Sequence, residues 1–307
     1  MRRIWHNEHG GPSVLQVEEA DVPSPADGEV LVEVEAVGVT LPGLLHLRDL
    51  PLPQRPGGEL AGRIVALGPD VAGFTVGQRV TGLTMSGAMA EYAVAPAILL
   101  DVVPDGVDPA IALTIVRSGL VALAALRTAN LAAGESVLVT AAAGGVGHLA
   151  VQLARALGAG RVVGTVSDPA KADFVRAQGA DEVVLSNDLA GTAPVDIVIE
   201  GVGGQVLNDA LDRVAPFGRL ITLSAAPAHI ESHTLLTGLR TVTGLSMGQI
   251  HRHRPDLIRA WRDDLWQLLA TNAIHPAIAA TYPLDQAAAA YDHLASRTSL
   301  GKIVLKP

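Results

Sequence analysis

The chain has 307 residues, enough for one large domain or two ordinary ones, and 49% of them are hydrophobic, enough to fill a core. A formal charge of −9 leaves no basic surface to neutralise a phosphate backbone, so no nucleic-acid partner is expected; the densest basic run, His251-Arg252-His253-Arg254, reads as a solvated loop. With no cysteine, disulfides, thiolate nucleophiles and cysteine-ligated zinc are excluded.

Aromatic residues make up only 3%, so the core must be built of Ala, Val and Leu, which suits a parallel sheet covered by helices. The first residues, Met1 to Glu8, turn polar before an apolar signal core can form. No unbroken apolar run of about 20 residues follows, so no membrane partner is expected and the cytoplasm is the expected compartment.

Up to about Val103 the chain reads as short strands punctuated by Gly and Pro. Glu29 to Val37 alternates charged and apolar residues, as a strand with one wet face does. Gly62 to Gly68 and Gln78 to Gly82 are further short strands. From Ile111 the texture changes to Ala- and Leu-rich helices alternating with Val- and Ile-rich strands. Ser136–Ala141 is a strand, Val146–Leu157 a helix, Arg161–Val166 a strand and Pro169–Gln178 a helix. Further strands follow at Glu182–Leu185, Val195–Glu200, Arg219–Leu223 and Arg240–Gly244. This repetition predicts an α/β fold with a doubly wound parallel sheet and right-handed crossovers. A helix over Pro255–Thr271 and a closing strand at Lys302–Leu305 complete the chain. The expected division is 1–115 plus 256–307 for a β-rich domain, with 116–255 inserted as the sheet domain.

The sharpest motif is Ala141-Ala142-Ala143-Gly144-Gly145-Val146-Gly147, set directly between a strand and a helix. Small residues let the backbone turn tightly against a diphosphate, and the helix N-terminus presents N–H groups and positive potential to it. Ala142 stands where the first glycine of the dinucleotide fingerprint falls, so Gly144 and Gly147 carry the match; a ligand-free strand-to-helix turn is the competing reading. The next strand ends at Ser167 without the acid that binds a ribose 2′-hydroxyl. Lys171, one helical turn on, favours the 2′-phosphate of NADPH, whereas Asp168, one step into the turn, counts against it, and an ordinary exposed helix lysine is the competing reading of Lys171. His148 reads as a helix-surface residue.

These segments resemble the medium-chain dehydrogenase/reductase superfamily, in its zinc-independent quinone oxidoreductase-like branch. The resemblance rests on Val37 to Pro42, Pro56 to Gly62, Gly77 to Val80, Gly87 to Tyr92, Gly134 to Val139 with the glycine turn, and Ser296-Arg297 before Gly301 to Leu305. It implies a Rossmann NADP-binding domain inserted in a GroES-like catalytic domain, and a homodimer formed near Arg240–Gly244. The cofactor set it implies is Ala143, Gly144, Gly145, Val146, Gly147, Ser167, Lys171, Gly201, Val202, Ser224 and Arg297. Zinc-dependent relatives have Cys near Thr40 and His at Gly58, and this chain has neither, so no zinc is expected; His251 and His253 lack a third ligand. Relatives commonly carry Asn, Asp and Thr where Thr40, Gly43 and Val121 fall.

Without a metal or an activated nucleophile, the chemistry must come from the cofactor. The expected reaction is hydride transfer from NADPH to a small hydrophobic quinone or enone, with Thr40 orienting and His46 or Tyr92 supplying a proton. A redox-neutral biosynthetic enzyme such as a cyclase, or a non-catalytic NADPH-binding protein, also suits the fold and the altered positions.

Overall fold

In the computed structural model, which describes residues 1–224 and 226–307, the head opens with an antiparallel pair, β1 (Arg2–Trp5) and β2 (Gln16–Glu19). It continues through β3 (Glu29–Val39), the short helix α1 (Leu41–His46), β4 (Pro56–Leu67), β5 (Arg79–Ser86), β6 (Tyr92–Pro96) and β7 (Leu100–Val102). β3 pairs antiparallel with β4 and β6, and β5 lies between β4 and β7. The alternation expected of β3 is only partly realised, because a central strand has both faces covered: Leu31 and Val37 are buried along with Val30 and Val32. Glu33 reaches water, and Glu35 is held between Arg63 (3.2 Å) and Arg79 (2.9 Å).

Asp108 caps α2 (Pro109–Thr114), accepting from the Ala110 N–H at 2.8 Å. A π-helical turn at Ile115–Gly119 then leads into α3 (Leu120–Thr128). Pro109–Thr128 is apolar and long enough to cross a membrane by length and composition, yet 78% of its most apolar stretch is buried by protein, as a core helix is.

The doubly wound part alternates as expected: β8 (Ser136–Val139), α4 (Gly147–Ala156), β9 (Arg161–Val166), α5 (Ala172–Ala177), β10 (Glu182–Leu185), β11 (Val195–Glu200), α6 (Gly204–Leu211), β12 (Val214–Thr222), α7 (Ser232–Gly238) and β13 (Thr241–Gly244). All neighbours are parallel, in the order β10-β9-β8-β11-β12-β13. The chain therefore winds one way from β8 to β10 and the other way from β11 to β13, which opens a crevice at the C-terminal ends of β8 and β11. Apolar strands covered on both faces, with Leu138, Val163, Val198 and Leu220 fully buried, supply the core.

Two expectations need correction. The basic run His251 to Arg254 is not a loop: His251, Arg252 and His253 form the last turn of α8 (Met247–His253), started by Ser246, whose Oγ accepts from the Gln249 N–H at 3.4 Å. Cations suit a helix C-terminus, which is why a polar stretch without an apolar stripe is helical here. The second concerns α9 (Pro255–Ala270), expected to join the β-rich domain. It buries Ile258, Trp261 and Leu265 and ties Asp264 to Arg127 of α3 at 2.9 Å. The chain accordingly forms one unit of Met1–Arg117 with Ala277–Pro307 and a second of Ser118–Pro276. The tail supplies β14 (Ile278–Pro283), α10 (Ala287–Ala295) and β15 (Lys302–Lys306), with β15 antiparallel to β3, so the tail extends the sheet of the head.

Candidate functional site

At the end of β8 the backbone turns through Ala141, which adopts φ +48°, and the Gly144 N–H closes back on the Ala141 carbonyl at 2.9 Å. A Cβ at Gly147 would overlap that same carbonyl oxygen and come within 2.8 Å of the Ala142 Cα, so only glycine lets α4 start this close to the strand. Ala143 is buried, and Gly145, Val146 and Gly147 lead into the helix. The first-turn N–H groups of a helix lack intrahelical acceptors; here the His148 N–H is taken by the Gly144 carbonyl at 3.1 Å, and no side chain among the described residues caps α4. A diphosphate fits that turn by charge and by space. His148 is not on the helix surface: it is fully buried, its Nδ1–H donates to the Gly144 carbonyl at 2.8 Å, and its ring packs 6.3 Å from that of Phe174. It fixes the turn from beneath.

At the end of β9, Lys171 Nζ donates to Ser167 Oγ at 3.1 Å, so the two sequence-expected contacts stand side by side on an exposed rim. Asp168 accepts from the Ala170 N–H at 2.9 Å and thereby caps the turn Pro169–Lys171. Its carboxylate serves local structure, which accounts for an acid in a place that otherwise favours a phosphate.

Sequence reasoning missed the network on the other side of β8. Glu200, the last residue of β11, is fully buried; its Oε1 accepts from the N–H groups of Val202 (2.6 Å) and Gly203 (2.7 Å), and its Oε2 from Thr222 Oγ1 (3.1 Å). Thr140 Oγ1 accepts from the Gly201 N–H at 2.9 Å. Ser224 Oγ accepts from the Ala226 N–H at 3.0 Å and stands 2.7 Å from where a Cβ on Gly203 would lie. The visible signal was an acid ending an apolar strand directly before glycines, at the crevice.

In the first unit Thr40 caps α1, its Oγ1 accepting from the Gly43 N–H at 3.1 Å. Gly43 has no room for the aspartate of relatives, because the buried Tyr291 hydroxyl fills the place of its Cβ. Burial, and secondarily Glu59, push the Tyr291 phenol well above its ordinary range. Glu59 is itself buried and pairs with Lys302 Nζ at 2.7 Å, with Arg117 Nε 4.0 Å away. A zinc ion does not fit here: the chain has no cysteine, the Glu59 carboxylate is already matched by side-chain cations, and among the described residues no group of three or more His, Cys, Asp or Glu is placed to hold a metal. His46 ends α1 and is exposed. Tyr92 pairs with Glu33, seven residues along β3 from Thr40, which at strand rise is about 20 Å away. The structure thus keeps Thr40 and His46 on one short helix and sets Tyr92, whose hydroxyl donates to Glu33 at 3.4 Å, apart from them. Arg297, exposed after α10, takes a left-handed turn at φ +57°.

The chain matches two family models, the alcohol dehydrogenase GroES-like domain over residues 26–105 and the zinc-binding dehydrogenase over residues 145–269. It is 33% identical to the quinone oxidoreductase of Pseudomonas aeruginosa over 325 residues, covering 100% of this chain and 99% of that protein. It is 32% identical to a 2-haloacrylate reductase of a Burkholderia species over 337 residues, covering 100% and 99%. The solved structure of a mycobacterial protein complexed with NADPH has a TM-score of 0.92 at 32% identity, with 100% of both chains covered. The strand order, the glycine turn at the crevice and this end-to-end similarity make the chain an oxidoreductase of the medium-chain dehydrogenase/reductase superfamily, in its quinone oxidoreductase-like branch.

Proposed function

We propose that the chain uses NADPH to reduce a small hydrophobic acceptor whose C=C bond is conjugated to a carbonyl, a quinone or an enone, without zinc. The observation that carries this reading is the turn Ala141–Gly147, where a side chain at Gly147 is sterically excluded and α4 is left uncapped. When bound, the reduced nicotinamide supplies the hydride. A quinone and a 2-haloacrylate, the compounds named for two relatives, share the conjugated, electron-poor C=C bond that such a hydride attacks.

In this reading Ala143, Gly144, Gly145, Val146 and Gly147 hold the diphosphate, Ser167 and Lys171 the 2′-phosphate, and Gly201, Val202 and Ser224 line the remaining crevice, with Arg297 as a further cofactor contact. Thr40 Oγ1 accepts from Gly43, which leaves its O–H to donate to the acceptor's carbonyl oxygen as charge builds there. His46, about 9 Å further along α1, delivers the proton through water. Tyr92 takes no part. The protein acts as a homodimer in the cytoplasm.

Stopped-flow absorbance of the reduced nicotinamide, mixed with protein and a panel of quinones and enones, tests the reading. Acceptor-dependent loss of the band, with stereospecific transfer of deuterium from labelled cofactor into product, is expected. Tight NADPH binding with no turnover across the panel rejects it.

A further inference from the structure

Glu200 is a carboxylate at the end of a strand whose Val195, Ile197, Val198 and Ile199 are buried, and it is 0% exposed. An ionised group there is costly unless hydrogen bonds replace its water. Among the described residues no side-chain cation pairs with it; Val202, Gly203 and Thr222 supply the donors, two of them backbone N–H groups at 2.6 and 2.7 Å. Successive N–H groups converging on an anion form a nest, the arrangement that elsewhere binds a phosphate. Here the chain fills the nest with its own carboxylate. The neighbouring Gly201 N–H is engaged as well, by Thr140 Oγ1 at 2.9 Å.

Three consecutive amides, 201 to 203, are therefore turned inward. What the turn has left to offer a ligand is carbonyl oxygen, which accepts and does not donate. That is the opposite of the Ala141–Gly147 turn, whose helix start is uncapped. The sheet order sets β9, with Ser167 and Lys171, on one side of β8 and β11 on the other. A dinucleotide whose 2′-phosphate lies at the β9 end and whose diphosphate lies at the end of β8 brings its nicotinamide riboside to the β11 end. That half carries a carboxamide NH2 and ribose hydroxyls, groups that donate.

We infer that Glu200 is a positioning residue for the nicotinamide half of the cofactor: its buried carboxylate draws in the amides of residues 202 and 203, keeps phosphate off that turn and leaves an acceptor rim at Gly201 and Val202. The inference rests on the proposed NADPH dependence. Its test compares NADPH with 2′,5′-ADP, which has the 2′-phosphate but no nicotinamide, by titration calorimetry on the full-length chain. In Glu200→Ala the NADPH Kd rises about tenfold or more while that of 2′,5′-ADP changes less than about twofold. Thr140→Val frees only the Gly201 N–H and conserves shape; NADPH binding weakens about threefold or more, again with 2′,5′-ADP little changed. If Glu200→Ala does not fold, the Thr140 variant decides alone. Equal weakening of both ligands marks a merely structural role and overturns the inference, as does unchanged NADPH binding in the folded variants. A wild-type protein that binds neither ligand refutes the cofactor reading itself; one that binds 2′,5′-ADP as tightly as NADPH refutes only the role of this turn.

Discussion

Alanine at position 147 would set its Cβ against the Ala141 carbonyl oxygen and 2.8 Å from the Ala142 Cα, atoms of one backbone turn with no flexible side chain to give way. Gly147→Ala is expected to lose about 2–4 kcal/mol of stability in urea unfolding, the cost of forcing a helix start away from its strand, and to abolish NADPH binding in calorimetry. Lys171 belongs to a different kind of site, an exposed rim where its ammonium donates to the Ser167 hydroxyl at 3.1 Å. Lys171→Ala should raise the NADPH Michaelis constant about tenfold and leave that of NADH within about twofold, since one charge-assisted contact to the 2′-phosphate is removed. An unchanged NADPH/NADH ratio rejects the contact. Both residues were legible because spacing along the chain reveals them. Glu200, Thr140 and Thr222 were not: the bonds that define them join residues 61 and 22 positions apart, and only strand order brings those together.

The central parallel strands β9 and β11 were legible as elements because each is a short Val- and Ile-rich run buried on both faces, whereas α8 was read as a loop since it has no apolar stripe. The far end of the same sheet carries a second polar clasp. Ser136, which opens β8, donates its N–H (2.8 Å) and hydroxyl (2.7 Å) to Asp196 of β11. Those bonds hold the Asp196 carboxyl below the usual range, and Glu135, next in sequence, is lowered chiefly by its hydrogen bond from Arg219. A carboxylate lowered in the folded state stabilises it above the unfolded pKa near 4, and that contribution is lost as pH falls through the lower folded value. Ser136→Ala brings Asp196 back towards its ordinary value. The variant should therefore be less stable than wild type by about 1–2 kcal/mol at pH 7, with the gap closing as the pH falls below about 4. Urea midpoints measured down the pH scale check this; a gap that stays constant into acid shows the hydroxyl acting only through packing.

At the scale of the whole molecule, two units and their strand content followed from the change of texture near Ile111, but the boundary near 276 did not, because α9 is amphipathic and nothing in its sequence says which core it covers. The sheet of the second unit ends in β13, which pairs with β12 along one side. A strand edge left bare invites pairing with another chain. The surface around it is apolar: Phe217 is 82% exposed, Leu236 73% and Leu239 53%, and the Phe217 N–H donates to the Leu239 carbonyl at 2.8 Å, which holds these residues beside the edge. A second copy related by a two-fold axis presents the same edge and the same apolar groups, so one contact satisfies both chains. Light scattering should give twice the chain mass of 31.6 kDa for the wild type. Phe217→Asp combined with Leu236→Asp places four like charges in the contact and should yield monomers with unchanged circular dichroism, since neither side chain is part of a core. A wild type that scatters as a monomer at micromolar concentration, or a double variant that still dimerises, excludes β13 as the dimer seam.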